Sequence, residues 1–431
     1  TFETAGDPAV PVPNLAGDEG ALSFSLVPKE GAPTQELAVI EGPWPGKKAV
    51  RLDQGVFSAD AFEVTDRSFT VQAWFRKNGP GTHRGNAEAT NGTILSVGIG
   101  YWDGWRLTTS YPSLVTGFEI GRPQPSSSVG ISTGPVSDAV WHHLAATWDG
   151  KEMRVYVDGL LAAAGEYAGE YTSPPTDKRF RVGYADYGWG SVLLDVDEVA
   201  VYRRALSPER ILRDAHFYAP LPDAAASRLT AASEALVRRD YRAAADAYAA
   251  VLKTNGLHPD YLSAARLGLA QAERGLGRLP QAAAELSKVL ETPGVADRYQ
   301  GGAVVGLLQL LRGGAGSAVP RRVHEKVLTM PAVTWQDRLS ARIQIARSLR
   351  DEKDFAAARE QYAKALEMPE LPLRDRLGLA LEQGDTCREG KQYAAARREY
   401  AAVVDAAGAP AVYRSLAQLR LAATYIQERK Y

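Results

Sequence analysis

A 38-residue period dominates the second half of the chain and runs without insertion from Tyr241 to Tyr431. Three series of positions keep this spacing: Tyr241, Leu279, Ser317, Phe355, Tyr393 and Tyr431; Ala244, Ala282, Pro320, Ala358 and Ala396; Tyr248, Leu286, His324, Tyr362 and Tyr400. Offsets of three and four residues between the series place these side chains on one helix face, where the small Ala allows neighbouring helices to approach. Such a period predicts a solenoid of stacked helical pairs.

The repeats, with their Ala and Tyr positions, resemble tetratricopeptide (TPR) repeats, which usually have about 34 residues. We expect the array to occupy residues 225–431. The third repeat is degenerate, because Ser317, Pro320 and His324 replace the usual residue types, and we expect a shortened second helix there. Tyr431 falls where the second helix of a sixth repeat would begin, so we expect the natural protein to continue beyond it.

The first half has a different character. Residues 1–218 contain 19 Lys and Arg against 27 Asp and Glu, and seven of the eight Trp, whereas residues 219–431 contain 31 basic and 24 acidic residues. The shift indicates two domains, with residues 219–224, which include two prolines, as the linker. The positive balance of the second half is spread along helices, which does not favour nucleic-acid binding.

Short alternating runs separated by turn residues predict an all-β domain in the first half. Phe69, Val71, Ala73 and Phe75 alternate along one run and should share the buried face of a strand. The dipeptides at 149–150 and 158–159 are both Asp-Gly and predict two consecutive hairpins. Hairpins in succession indicate antiparallel sheets.

Ordered motifs in this half resemble laminin-G-like, concanavalin-type jelly-roll domains. They are VWHHLAATWDG at 140–150, RVYVDG at 154–159, RVG at 181–183 and DEVAVY at 197–202. The resemblance implies an antiparallel two-sheet β-sandwich over residues 1–218, so the whole chain is a multidomain β and α protein. It also implies binding of glycans or proteins, sometimes with calcium, and it does not imply catalysis.

Two aromatic-rich loops are the candidate ligand sites of the β domain. One contains Tyr101, Trp102 and Asp103, and the other contains Tyr187 and Trp189. Sugars stack on exposed aromatic rings, and the same rings serve as contact points for proteins. The alternative for such rings is burial in the core, which we expect for Trp105.

The candidate metal site is an acidic pair, Asp195 and Asp197, which share one face of a strand and offer the oxygen ligands that calcium prefers. In the alternative, Asp197 and Glu198 brace a turn or pair with nearby arginines. His142 and His143 are adjacent in a strand, so their rings face opposite sides and cannot share a metal. No cofactor other than calcium is expected.

The concave groove of the helical array would be lined by first helices, with Arg266, Arg342, Gln344 and Arg347 as candidate contacts to a protein partner. Alternatively, these side chains only face solvent. The sequence contains no nucleophile elbow, P-loop or His-Glu-x-x-His motif, and no catalytic residue is assigned.

These observations favour a non-catalytic recognition and scaffold region, in which the sandwich binds a glycan or a protein and the repeats bind a protein partner. One alternative is the N-terminal accessory region of a larger carbohydrate-active enzyme with its catalytic domain beyond Tyr431. A second alternative is a catalytic jelly roll that acts on polysaccharides. No apolar run has the roughly 20 residues of a membrane span. We expect an exported bacterial protein, either extracellular or periplasmic.

Overall fold

The computed structural model describes residues 24–28, 38–52, 55–59, 68–79, 81–83, 87–89, 91–98, 103–110, 115–122, 127–137, 139–171, 178–183, 193–312, 319–329, 335–369 and 371–428. The chain forms two compact units. The first comprises Thr1–Arg278 and Lys288–Val305, and the second comprises Leu279–Ser287 and Gly306–Tyr431. The first unit therefore contains helices of the repeat region together with the β domain.

The described strands all belong to the first unit. They are β1 (Phe24–Pro28), β2 (Ala38–Glu41), β3 (Lys48–Leu52), β4 (Gly55–Ala59), β5 (Phe69–Lys77), β6 (Gly81–His83), β7 (Ala87–Ala89), β8 (Asn91–Val97), β9 (Trp105–Ser110), β10 (Val115–Arg122), β11 (Ser127–Pro135), β12 (Trp141–Trp148), β13 (Glu152–Val157), β14 (Leu160–Glu166), β15 (Phe180–Val182) and β16 (Leu194–Tyr202).

The strands form the predicted two-sheet antiparallel sandwich. Sheet A has the order β1-β4-β15-β8-β9-β10-β11, sheet B has the order β14-β13-β12-β5-β16-β3-β2, and β6 pairs with β7 separately. The inward side chains of both sheets form one apolar core, centred on Phe69, Trp105, Phe118 and Trp148. The predicted inward series of β5 is confirmed, since Phe69, Val71, Ala73 and Phe75 are each at most 3% exposed.

Both predicted hairpins are present. β12 pairs with β13 across Asp149-Gly150, and β13 pairs with β14 across Asp158-Gly159. Asp158 and Gly159 have φ values of 50° and 83°, which suit a tight two-residue turn. The Asp149 side chain accepts hydrogen bonds from the backbone N–H groups of Lys151 and Glu152.

Helices cover much of the outward face of sheet B and bury side chains there. The described helices are α1 (Pro208–Ala215), α2 (Asp223–Val237), α3 (Tyr241–Val251), α4 (Pro259–Gly275), α5 (Leu279–Glu291), α6 (Asp297–Arg312), α7 (Arg321–Leu328), α8 (Trp335–Asp351), α9 (Phe355–Leu366), α10 (Leu373–Glu389), α11 (Tyr393–Asp405) and α12 (Ala411–Gln427). Ile211 of α1 packs against Ala145 and Tyr156 of the sheet. On the outward side of β5, the Thr70 hydroxyl donates a hydrogen bond to the Arg204 carbonyl, and the Gln72 amide donates one to the Asp214 carboxylate.

The 38-residue period appears directly in the helices. The helices α4, α6, α8, α10 and α12 begin at residues 259, 297, 335, 373 and 411, which are 38 apart in every case. Their partners α3, α5, α9 and α11 begin at 241, 279, 355 and 393. In the third repeat the second helix is α7, which has eight residues and begins at Arg321. No described helix is both long and apolar enough to cross a membrane.

A recurrent arginine ties successive repeats in the second unit. Arg321, Arg359 and Arg397 lie 38 residues apart, and their guanidinium groups bond to Glu352, Gln392 and Glu428, respectively. Tyrosine rings also pack on glycines of the first helices: Tyr248 lies against Gly268 of α4, and Tyr400 lies against Gly384 of α10. The Tyr400 ring lies so close to Gly384 that a β-carbon there would be 2.4 Å from it.

Candidate functional site

The two aromatic loops predicted as ligand sites fall mostly outside the described residues. The residues outside the described ranges are Tyr101, Trp102, Tyr187 and Trp189. Asp103 is described and lies half-buried just before β9. The strands that lead into the loops, β8 and β15, are antiparallel neighbours. β8 and β15 therefore run towards the two loops in opposite directions, and the ligand site there stays a prediction. Trp105, expected in the core, is 2% exposed.

The predicted calcium pair lies on one face of β16, the outward face of sheet B, and both carboxyl groups are fully buried. Asp195 is held by two guanidinium groups: its Oδ1 lies 2.7 Å from Arg51 Nε, and its Oδ2 lies 2.7 Å from Arg76 Nε. Neither Asp197 oxygen has a hydrogen-bond partner among the described residues, and burial raises the pKa of Asp197 to about 6.

Glu198 pairs with Lys47 and not with the nearby arginines considered from the sequence. Within the described ranges, no cluster of three His, Cys, Asp or Glu could hold a metal ion. Calcium binding at Asp195 and Asp197 remains a prediction, and two arginines already satisfy the Asp195 carboxylate.

The predicted groove residues are divided between the two compact units. Arg266 lies half-buried on α4 in the first unit, while Arg342, Gln344 and Arg347 lie on α8 in the second. Arg342 donates to Gln361 Oε1 at 3.3 Å, and Arg347 forms two bonds with Glu382 of α10, at 2.5 and 3.1 Å. Arg342 and Arg347 therefore link neighbouring helices, and whether the four positions contact a partner stays a prediction.

His142 and His143 face opposite sides, as predicted. The His142 ring lies 6.2 Å from Phe75, on the core side, and the His143 ring lies 5.6 Å from Trp74, on the outward side. His142 Nδ1 lies 2.8 Å from Asp158 Oδ2, and His142 Nε2 lies 2.7 Å from Ser137 Oγ. Burial lowers the pKa of His143 to about 4, so it is neutral at physiological pH.

Ser137, His142 and Asp158 are bonded in the same order as the three groups of a serine hydrolase. However, a β-carbon added to Gly301 of α6 would lie 2.5 Å from Ser137 Oγ. The α6 backbone therefore occupies the space from which a substrate would approach on that side. The close contact between Ser137 and Gly301 joins the sandwich to α6 within the first unit.

Arg298 of α6 is the centre of a buried polar cluster that the sequence analysis did not predict. The side chain is 6% exposed and contacts two carboxylates, Asp158 at 3.6 Å and Asp260 at 3.3 Å. It also bonds to the Tyr218 hydroxyl, and its guanidinium lies 5.2 Å from the centre of the Trp74 ring. Two carboxylates thus balance the positive charge of the buried guanidinium, which would be costly to bury alone.

An exposed aromatic patch lies above this cluster. It consists of Trp44 from the β2–β3 connection, and Phe217 and Tyr218, which follow α1. Phe217 is 58% exposed and Tyr218 is 41% exposed, while Trp44 is partly exposed. The Trp44 ring centre lies 4.7 Å from that of Phe217, and the Phe217 ring lies 5.6 Å from that of Tyr218. The three rings therefore form one continuous surface.

Rigid groups support the patch from below. The Trp44 ring stands edge-to-face on buried Trp74, with ring centres 5.7 Å apart. The Tyr218 hydroxyl is held by Asp260 and Arg298. Lys47 lies over the Trp44 ring at 5.6 Å while paired with Glu198. The signals in the sequence were Pro43-Trp44-Pro45 and the aromatic run His216-Phe217-Tyr218, but nothing in the sequence joins these two distant segments.

The comparisons agree with the fold of the β domain. Residues 51–212 match a laminin-G family model described as the Concanavalin A-like lectin/glucanases superfamily. The resemblance to a concanavalin-type jelly roll is thereby confirmed for this part, which is less than half of the chain. No curated protein matches the chain.

Three solved structures are similar to about half of the chain. Domain 4 of AbnA, a GH43 extracellular arabinanase from Geobacillus stearothermophilus, in complex with arabinotriose, is 17% identical, with a TM-score of 0.39 over 50% of this chain and 94% of that one. The binding domain of Paraclostridial Mosquitocidal Protein 1 is 13% identical, with a TM-score of 0.36 over 49% and 53%. The binding domain of botulinum neurotoxin serotype G is 11% identical, with a TM-score of 0.35 over 46% and 47%. The chain thus spans about half the length of these two toxin domains.

Proposed function

We propose that this chain is a non-catalytic recognition region whose first compact unit binds a glycan through the aromatic patch of Trp44, Phe217 and Tyr218. The proposal rests on the exposure of these adjoining rings, since Phe217 is 58% exposed and Tyr218 is 41% exposed. Contiguous exposed apolar surface is uncommon on soluble proteins and marks interaction sites. Flat aromatic rings fit the C–H faces of sugar rings.

Rigidity adds to this argument. A binding surface loses less free energy on association when its side chains are already held in place. Trp44 rests on Trp74, and the Tyr218 hydroxyl is fixed by Asp260 and Arg298. At the edge of the patch, the Glu198 carboxylate, which pairs with buried Lys47, is 35% exposed and offers a charged acceptor near Trp44. Apolar rings beside oriented polar groups are what a sugar with both kinds of surface requires.

For the second half, we propose TPR-like repeats that bind a protein partner. The regular start of the first helices every 38 residues supports a repeated helical pair. The recurrent ties from Arg321, Arg359 and Arg397 would keep such a surface rigid. An extracellular or periplasmic location would give the patch access to glycans.

A printed glycan array tests the proposal, with wild-type protein compared with the Trp44→Ala and Phe217→Ala variants. We expect both variants to lose most of the signal, because truncation of a central aromatic contact costs about 2 kcal/mol or more. Tyr425→Ala is the matched control, since Tyr425 is 46% exposed but lies on α12.

Trp102→Ala and Trp189→Ala in the same array separate the patch from the loops predicted from the sequence. Thermal unfolding of every variant checks that the fold is retained. Undiminished glycan binding by folded Trp44→Ala and Phe217→Ala proteins would refute the patch as the binding site. If the wild-type protein binds no glycan, the ligand proposed here is wrong and a protein ligand becomes the hypothesis.

A further inference from the structure

A polar row crosses the outward face of sheet A, which lies on the other side of the core from sheet B. Direct cross-strand pairs join Ser58, Arg181, Ser96, Arg106, Glu119 and Gly130 in that order. The row spans β4, β15, β8, β9, β10 and β11. Cross-strand neighbours on one face have side chains in contact range. Ser58, Arg181 and Ser96 are buried, so the accessible part of the row consists of Arg106, Glu119 and Gly130.

Apart from Val115 at the start of β10, the half of this face formed by β9, β10 and β11 carries polar residues and glycine. Its outward positions alternate with the buried Leu107, Phe118 and Ile120, and they are Arg106, Thr108, Gly117, Glu119, Gly121, Ser128, Gly130 and Ser132. An apolar protein contact would need aromatic or aliphatic anchors, which these positions lack. Hydroxyl and carboxylate groups instead suit a ligand rich in hydroxyls.

The centre of this surface is a carboxylate with one oxygen bound and one open. Glu119 Oε2 accepts hydrogen bonds from Arg106 Nε at 3.0 Å and Nη2 at 2.5 Å, and from Ser128 Oγ at 3.1 Å. Glu119 Oε1 accepts no hydrogen bond from the described residues, and the side chain is 31% exposed. The bonds to Oε2 fix the carboxylate in one orientation, so Oε1 is pre-organised as an acceptor.

Glycines provide the floor around this carboxylate. A β-carbon at Gly130 would lie 2.8 Å from Glu119 Cγ, and one at Gly117 would lie 2.9 Å from Thr108 Oγ1. The Glu119 and Thr108 side chains therefore lie across glycine backbones, and these glycines add no side chain of their own to the face.

We propose that the outward face of β9, β10 and β11 is a second ligand site, which takes a neutral oligosaccharide and presents Glu119 Oε1 to its hydroxyl groups. The ligand is neutral because Arg106 and Glu119 neutralise each other. This inference rests on the glycan-binding role proposed above and adds a separate subsite on the opposite sheet. The protein would then bind one long glycan at two places or two glycans at once.

Calorimetric titration tests this site with the neutral linear oligosaccharide that gives the strongest array signal. Glu119→Gln keeps the shape of the side chain and weakens its acceptor, and we expect binding at this site to weaken about tenfold or more, the value of a charge-assisted hydrogen bond. Ser132→Arg, at an exposed position of the same face, should obstruct the site without touching Glu119. Glu152→Gln is the matched control, because Glu152 pairs with Arg154 on sheet B and is 33% exposed.

The two sites are distinguishable in the same experiment. Weaker binding in both Glu119→Gln and Ser132→Arg, with Glu152→Gln unchanged, supports the site on sheet A, whatever the result for Trp44→Ala. Wild-type binding in folded Glu119→Gln and Ser132→Arg overturns it, and loss in Trp44→Ala alone then leaves the aromatic patch as the glycan site. No binding of any neutral oligosaccharide by the wild-type protein overturns both.

Discussion

Two leucines one repeat apart provide a quantitative test of how the second unit is built. Leu381 of α10 is 3% exposed, and Leu419, 38 residues later on α12, is 69% exposed. Leu381 packs in a cluster with Leu377, Tyr400 and Val403. Sequence periodicity treats the two positions as equivalent, whereas the packing does not.

The expected costs of truncation differ accordingly. Replacing a buried Leu by Ala removes apolar contacts and leaves a cavity, which costs about 2–5 kcal/mol. At Leu419 most of the side chain already faces solvent, and exposed substitutions away from special features stay within about 0.5 kcal/mol. We therefore expect Leu381→Ala to lower the free energy of unfolding by about 2 kcal/mol or more relative to Leu419→Ala.

Urea unfolding followed by circular dichroism at 222 nm measures this difference, because the helical signal comes mainly from the repeats. Equal losses in the two variants would refute the argument, as would an unchanged midpoint in Leu381→Ala. The control repeats the measurement at two protein concentrations. If the midpoint depends on concentration for the wild type but not for Leu419→Ala, then self-association covers Leu419.

Two further predictions concern the buried carboxyl groups of β16. Asp195→Asn should lower the thermal midpoint, because the carboxylate accepts charge-assisted hydrogen bonds from Arg51 and Arg76, and such a bond contributes about 1.5–3 kcal/mol. Burial raises the pKa of Asp197 from 3.8 to about 6, so its contribution to stability is present below pH 4 and is lost as the pH rises through about 6. Asp197→Asn should then be more stable than the wild type at pH 7 and lose this advantage at pH 4. A difference between their thermal midpoints that stays constant from pH 4 to pH 7 would contradict the raised pKa of Asp197.

Much of the fold follows from local patterns. Alternation along β5 identified the core face, and Asp-Gly dipeptides identified two hairpins, because turn geometry and strand period depend on neighbouring residues. The 38-residue spacing anticipated the starts of α4, α6, α8, α10 and α12, since each helical pair repeats the same local interactions. The shared face of Asp195 and Asp197 was predictable for the same reason.

The partners of those residues were not predictable. Asp195 bonds to Arg51 across 144 residues of sequence, and the alternating pattern of β5 gave no sign that helices bury Thr70 and Gln72 as well. Trp44 and Phe217 meet only because α1 and the β2–β3 connection lie at the same place on the first unit. Arg298 likewise reaches Asp158 only in the folded chain.

The sequence by itself therefore determined the two kinds of architecture, the repeat length and the hairpins, because these depend on interactions between residues close in the chain. Only the tertiary structure decided which aromatic rings remain exposed, which carboxylates are satisfied and which face of the sandwich stays open. Those outcomes depend on contacts between distant segments, and side-chain chemistry alone does not specify which segments will meet.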